Sequence, residues 1–237
     1  MALPVLTTPT YELEVPSTDE KIKYRPFLVK EEKVLLIALE SGENAQIVRA
    51  IKTIVDECTY NKLPLGKLPM FDIEYIFLQI RSKAVGEVSK LSLLCPDDGK
   101  TYVEVEVNLA DVVVEVHEKH NNKIELTDDM GMIMTYPTID SFIDGNFADI
   151  TANNMIDVVA SCVLQIYEKK GEVVYDAKDS TKQEMVEFVE NINTKQFKDI
   201  QNFFDSMPVL KHTVKVKNPS TKVESEVTLK GLNDFFV

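Results

Sequence analysis

The strongest constraint on this chain is a pair of alternating segments set 123 positions apart (Leu91 to Val214). In the first, Leu91 and Leu93 lead into the turn Pro96–Lys100. Val103, Val105 and Val107 then alternate with Glu104 and Glu106. A period of two with apolar residues on one side predicts an antiparallel hairpin with one wet face. In the second, VLKHTVKVKNPSTKVESEVTLKGLNDFFV reads as two alternating strands around the turn Asn218–Thr221. Leu91, Leu93, Pro96, Leu109 and Asp111 fall without a gap on Val214, Val216, Pro219, Leu232 and Asp234. The strand interiors agree less well, since Val103 falls on Glu226 in that register. A duplicated hairpin and a chance likeness between two proline-containing turns both account for the match.

The first turn, LSLLCPDDGK, also begins like half of a zinc knuckle. A zinc ribbon has C-P-x-C-G at such a turn, with its second thiolate three positions on. Here Asp97, Asp98 and Gly99 follow Cys95-Pro96, and neither turn holds a C-x-x-C pair. The nearest metal candidates are Cys95, His117 and His120, because His117-Glu-Lys-His120 has a spacing that can chelate. Zinc takes about four ligands. This set offers three unless Asp97 or Asp98 completes it, so no metal and no other cofactor is expected. Cys95 reads as a residue of a hairpin turn.

The rest of the chain alternates between the two periods. Tyr11, Leu13 and Val15 predict a strand, PSTDE a turn, and Ile22 and Tyr24 a second strand. EEKVLLIALES is an apolar run that fits a buried strand or a short helix. Ile47, Ala50, Ile51, Ile54, Val55 and Cys58 form a helical stripe, as do Ile73, Ile76, Phe77, Ile80 and Ala84, which Gly86 closes. DVVVEVHEKHNNKIEL predicts a hairpin around Asn121-Asn122, and MGMIM a short strand. From Thr138 to Met207 the pattern is helical, with its clearest stripe at Met155, Val159, Cys162, Val163 and Ile166. GEVVYDAKD interrupts it as a small β excursion, Ser180 with Gln183 makes a capping box, and Pro208 ends the last helix. The expected class is α+β: hairpins and small antiparallel sheets with a helical middle and C-terminal region. The expected division is an α+β region over 1–137 with its hairpin at 88–108, and a helical region over 138–237 closing in a hairpin, or one domain throughout.

Composition narrows the function. The net charge is −13 and the pI about 4.8. Binding to nucleic-acid phosphates or to an anionic membrane needs a basic face, so neither is expected as the main task. No stretch approaches the length of a membrane span, and MALPVLTTPT lacks the basic and apolar regions of a leader. Cys58, Cys95 and Cys162 are odd in number and far apart, which predicts free thiols in a reducing compartment. The chain holds no G-x-G-x-x-G, P-loop, H-E-x-x-H, G-x-S-x-G or EF-hand pattern. Its acidic pairs, Asp97-Asp98 and Asp128-Asp129, are sequence neighbours in turns. Paired carboxylate chemistry needs two such groups converging in a cleft, so no catalytic residue is expected. Phe235, Phe236 and Val237 end the chain with apolar residues, which implies docking into its own core or into a partner.

Two long blocks carry a resemblance. KYRPFLVKEEKVLLIALES (Lys23 to Ser41) and FDIEYIFLQIRSKAVGE (Phe71 to Glu87) are similar to the signature blocks of the T4-like bacteriophage baseplate hub subunit family, also described as baseplate hub assembly proteins. LPxxTTPTYELEVPS, TYPT and LKGLNDFF fit the same family. The turn at Cys95 departs from relatives that carry a fuller C-P-x-C element. The resemblance implies a non-enzymatic role in building the central hub of a contractile tail's baseplate, in the host cytoplasm during assembly and in the virion tail. It implies hub or tail proteins as partners and leaves the oligomeric state open. Two other readings are a tail-assembly chaperone absent from the virion and a hub-associated cell-wall hydrolase. No catalytic residue comes with the resemblance. Candidate contact residues are Arg25, Pro26 and Phe27 in the first block, Tyr75, Phe77 and Arg81 in the second, and Phe235 and Phe236 at the end.

Overall fold

The structure is a computed structural model that describes residues 6–144, 151 and 154–235. In chain order it runs β1 (Tyr11–Glu14), β2 (Lys21–Tyr24), α1 (Val29–Ser41), α2 (Asn44–Cys58), α3 (Met70–Val85), β3 (Val88–Leu94), β4 (Tyr102–Asn108) and β5 (Val113–Glu115). Then come β6 (Lys123–Glu125), β7 (Met130–Met134), α4 (Ile139–Ile143), α5 (Met155–Ser161), β8 (Val163–Glu168), β9 (Val173–Asp176), α6 (Lys182–Glu190) and α7 (Thr194–Ser206). The strands β10 (Val209–Lys217) and β11 (Glu224–Lys230) close it. This is an α+β chain with small antiparallel sheets. It divides into two compact units, Met1–Glu115 with Val209–Val237, and Val116–Pro208. The sequence boundary at 137/138 lies inside the second unit, and the C-terminal hairpin belongs to the first. Pairing of β10 with β5 draws that hairpin back to the N-terminal half.

The first unit is organised on α3. A helix apolar nearly all round belongs in an interior, and α3 buries Phe71, Ile73, Ile76, Phe77, Leu78 and Ile80. Two of its acids hold the chain around it. Asp72, fully buried in the first turn, accepts the Ser17 backbone N–H at 3.1 Å and the Ser17 hydroxyl, which ties the β1–β2 turn to the positive end of the helix. Glu74 accepts the Leu232 N–H at 3.2 Å and so fixes the turn after β11. Gly231 there has a φ of 66°, a left-handed conformation that suits glycine.

Glu74 makes unit 1 sensitive to pH. Burial pushes its carboxyl up to about 7, against the lowering effect of the Leu232 N–H. The folded chain therefore keeps a proton that the unfolded chain sheds near 4.5. The stability that this proton supports is complete below the unfolded value and falls as pH rises to about 7. Glu74→Gln keeps an acceptor for Leu232 without the charge. The variant is expected to gain about 1–2 kcal/mol over the native chain near neutral-to-alkaline pH and nothing in acid. Urea unfolding at several pH values measures this.

The two hairpins of unit 1 share more than a pattern. Leu91 and Leu93 on β3, like Val214 and Val216 on β10, face inward. The carbonyls of Cys95 and Asn218 each accept the N–H four residues on, from Gly99 and Lys222, both at 3.0 Å. Those two residues have matching φ of 62° and 66°. The second turn is one residue shorter, so Val105 matches Val227 and Val107 matches Leu229. Gly231 restores the original offset, and each hairpin ends in a 3-10 turn, Leu109–Asp111 and Leu232–Phe235. Once the shorter turn is counted, Val103 falls on Ser225 instead of Glu226, so that one position still differs in polarity.

The second unit packs helices on the sheet β6-β7-β8-β9. Met132, Met134, Val163 and Ile166 from the strands meet Val159, Met185, Val189, Ile200 and Phe203 from the helices. Three expectations change here. β5 and β6 do not pair with each other: β5 joins β10 and β6 joins β7. The predicted helix through Ile166 stops at Ser161, and residues 163–168 form β8. Val163 and Ile166, three apart, fit the helical period; β7 nevertheless pairs with this segment, and the register shift between Ile133 and Met134 goes with burial of both in the strand. The capping box of α6 lies one residue later than expected, with Thr181 and Glu184 bonding each other's backbone N–H.

Candidate docking surface

The first signature block folds into an anchor and an exposed helix. At the anchor, Glu31 is 4% exposed and bonds the Arg25 guanidinium at 2.9 Å and the Leu28 N–H at 2.7 Å. The backbone N–H of Arg25 donates to the Cys58 carbonyl at 3.0 Å, and its side chain donates to the Pro26 carbonyl at 3.1 Å. The start of α1 is thereby fastened to the end of α2. Burial raises the Glu31 carboxyl, but the hydrogen bonds from Arg25 and Leu28 and the Lys30 ammonium outweigh it and hold the carboxyl below its ordinary range. At the other end Gly42 (φ 67°) sends its N–H to the Leu39 carbonyl and turns the chain into α2.

Beyond that anchor α1 buries only Ala38. EEKVLLIALES is therefore a helix, and its apolar residues are not core. Val29, Val34, Leu36, Ile37 and Leu39 are all exposed, Leu36 and Ile37 at 54% and 55%. Scattered exposed apolar residues are ordinary, but five on one helix are a patch of the kind that marks contact with another molecule. A groove lined by Val34, Ile37, Ala38, Gln46, Arg49 and Ala50 runs along its α2 side. Composition shows that this run is apolar. Only the packing shows that, among the described residues, these side chains stay exposed.

The candidates named from sequence lie elsewhere. Pro26, Phe27 and Phe77 are buried, and Phe235 is fully buried in unit 1. Arg25 serves the anchor, while Tyr75 and Arg81 are half-buried on α3. Phe236 lies outside the described residues. These placements make the first block a support for α1, whose outward side chains sequence reasoning missed. The available signal was the charge pattern, since Glu32, Lys33 and Glu40 break the apolar run without giving it a polar face.

The second unit has an apolar cavity of about 480 Å³ lined by Phe142, Met155, Phe197, Phe204 and Met207, among others. Among the described residues its polar lining is Gln201 and Asp205, one carboxylate where paired chemistry needs two. The thiols are poorly suited to nucleophilic work: burial pushes Cys58 up to about 11 and Cys162 up to about 12.

The metal candidates belong to different units. Cys95 is in unit 1, while His117 and His120 are in unit 2. His120 has one ring nitrogen 2.8 Å from the Tyr136 hydroxyl and the other 3.0 Å from the Ser206 hydroxyl. Among the described residues no group of three or more His, Cys, Asp or Glu is placed to hold a metal ion. At the knuckle-like turn the bonds run between hairpins. The Asn218 side-chain amide donates to Asp97 at 3.0 and 3.1 Å and to Asp98 at 3.0 Å, and the Thr221 hydroxyl donates to Asp97. Asn218 stands where Cys95 stands in the first hairpin, and Thr221 where Asp98 stands. The turn chemistry that replaces the missing thiolates thus joins the two hairpins.

Among the described residues, the anchored helix α1 leaves five apolar side chains exposed. The chain belongs to the T4 bacteriophage base plate protein family, whose model matches residues 8–237. It is a bacteriophage baseplate protein. No curated protein and no solved structure matches it.

Proposed function

We propose that the chain is a non-enzymatic assembly protein of the central baseplate hub of a contractile tail, and that it works through protein–protein contacts. The observation that carries this reading is α1, held at its base by Arg25 and Glu31 and exposing five apolar side chains. Family membership supplies the setting, a phage baseplate. Partners are other hub or tail proteins, met in the host cytoplasm during assembly and retained in the tail baseplate. Their contact faces are apolar at the centre, as in protein interfaces generally.

Leu36→Glu with Ile37→Glu tests this in the phage. Both side chains are exposed, so the fold is expected to stand, within about 0.5 kcal/mol of the native stability. Hub assembly is expected to fail with this variant, and to fail equally when the chain is deleted. Normal hubs in the presence of the folded double variant contradict the contact surface. Normal hubs after deletion contradict the assembly role itself.

A further inference from the structure

The outer face of α1 carries a charge order that a second copy can read. Assign Val29, Leu36, Glu32 and Leu39 to the inward positions of a coiled-coil heptad. Lys33 and Glu40 then share the flanking position on one side, one heptad apart. All six residues are exposed. In an antiparallel pair of such helices, the layer that sets Leu36 against Leu39 of the other copy also sets Lys33 beside Glu40 of the other copy. Two-fold symmetry makes each contact twice, as an isologous interface requires. Two leucine layers are thereby covered and two opposite-charge pairs flank them. A parallel pair in register would bring Lys33 beside Lys33 and Glu40 beside Glu40, or leave both without an opposite charge.

The geometry points to self-association: the α1 face is an interface between two copies of this chain, packed antiparallel through Leu36 and Leu39 and oriented by Lys33 and Glu40. The anchor serves this arrangement. It fixes the base of α1 to the end of α2, and Gly42 ends the helix after Ser41. The interface is short, so association is expected to be reversible and dependent on concentration. This inference rests on the reading of α1 as a contact face and shares Leu36 with it; because it is tested on the purified chain alone, its failure leaves the proposed hub contact standing.

Sedimentation of the purified full chain over about 1–200 μM tests it. The native chain is expected to pass from monomer to dimer in that range. Leu36→Glu is expected to leave it monomeric. Lys33→Glu and Glu40→Lys are each expected to weaken the dimer about ten-fold, by setting like charges together. The two combined restore opposite pairs and are expected to bring the affinity back to within about three-fold of native. Hydrogen exchange over the same concentrations gives a second readout, with protection rising on α1. A native chain that stays monomeric throughout overturns the proposal. A dimer unaffected by Leu36→Glu, or a charge swap that fails to restore what each single reversal loses, also overturns it.

Discussion

Glu31→Ala is expected to cost about 3–5 kcal/mol, the range for breaking a buried pair by removing one partner. Glu31 is 4% exposed, and its loss leaves the Arg25 guanidinium in the interior with no carboxylate. It also frees the Leu28 N–H at the start of α1. The effect has a pH signature. The folded-state carboxyl lies below its ordinary value of 4.5, so its contribution is complete above that value. It is lost as pH falls through the folded value. Unfolding by urea is therefore expected to show a wide gap between native and variant near neutral pH, and a narrower gap in acid. A gap under about 1 kcal/mol at neutral pH would show that the anchor is no stronger than a surface ion pair. Because the anchor sets the base of α1, the same variant is expected to lose protection from hydrogen exchange across Val29–Ser41 before the rest of unit 1 does.

Gly131→Ala is the second large effect, expected at about 3 kcal/mol, the upper end of overpacking costs. Gly131 lies in β7 opposite Tyr167 of β8, whose ring covers it. A Cβ at Gly131 would clash with the Tyr167 hydroxyl oxygen and sit 2.8 Å from the Ile124 carbonyl oxygen. The ring can swing away. The carbonyl belongs to the β6–β7 pairing and cannot move without breaking it. The cost is therefore expected to persist in a Tyr167→Ala background. Full recovery there would show that the ring alone makes the position exclusive to glycine. A thermal melt followed by a unit 2 probe, such as the Tyr136 and Phe203 ring environment around His120, reads the loss.

Much of this fold is legible in the sequence because local periodicity and burial agree. The stripe ending at Cys58 is α2, the stripe through Ile80 is α3, and both Pro-containing hairpins are present in the expected strands. Legibility fails where a distant partner decides. Val163 and Ile166 fit a helix until β7 is available to pair with them. Val113–Glu115 reads as half of a local hairpin until β10, nearly a hundred residues later, takes its edge. The contact of Asn218 with Asp97 and Asp98 is invisible from either turn alone, although the shared offset hints at it.

The docking surface was half legible. The block from Lys23 to Ser41 is conspicuous, and of its most unusual residues Pro26 and Phe27 are buried while Arg25 bonds Glu31. The apolar residues of α1 look like core because composition reports what a side chain is and not what covers it. Their exposure follows from how few contacts unit 1 offers outside Glu31 and Ala38.

Crosslinking in infected cells, mapped residue by residue, tests the central claim most directly. Lys30 and Lys33 lie on α1 and are exposed, so they report on whatever covers it. The account predicts that crosslinks from these two lysines lead to baseplate hub proteins or to a second copy of this chain, and that Leu36→Glu with Ile37→Glu abolishes them. Crosslinks to baseplate proteins that arise only from unit 2, and that survive the double substitution, would contradict it.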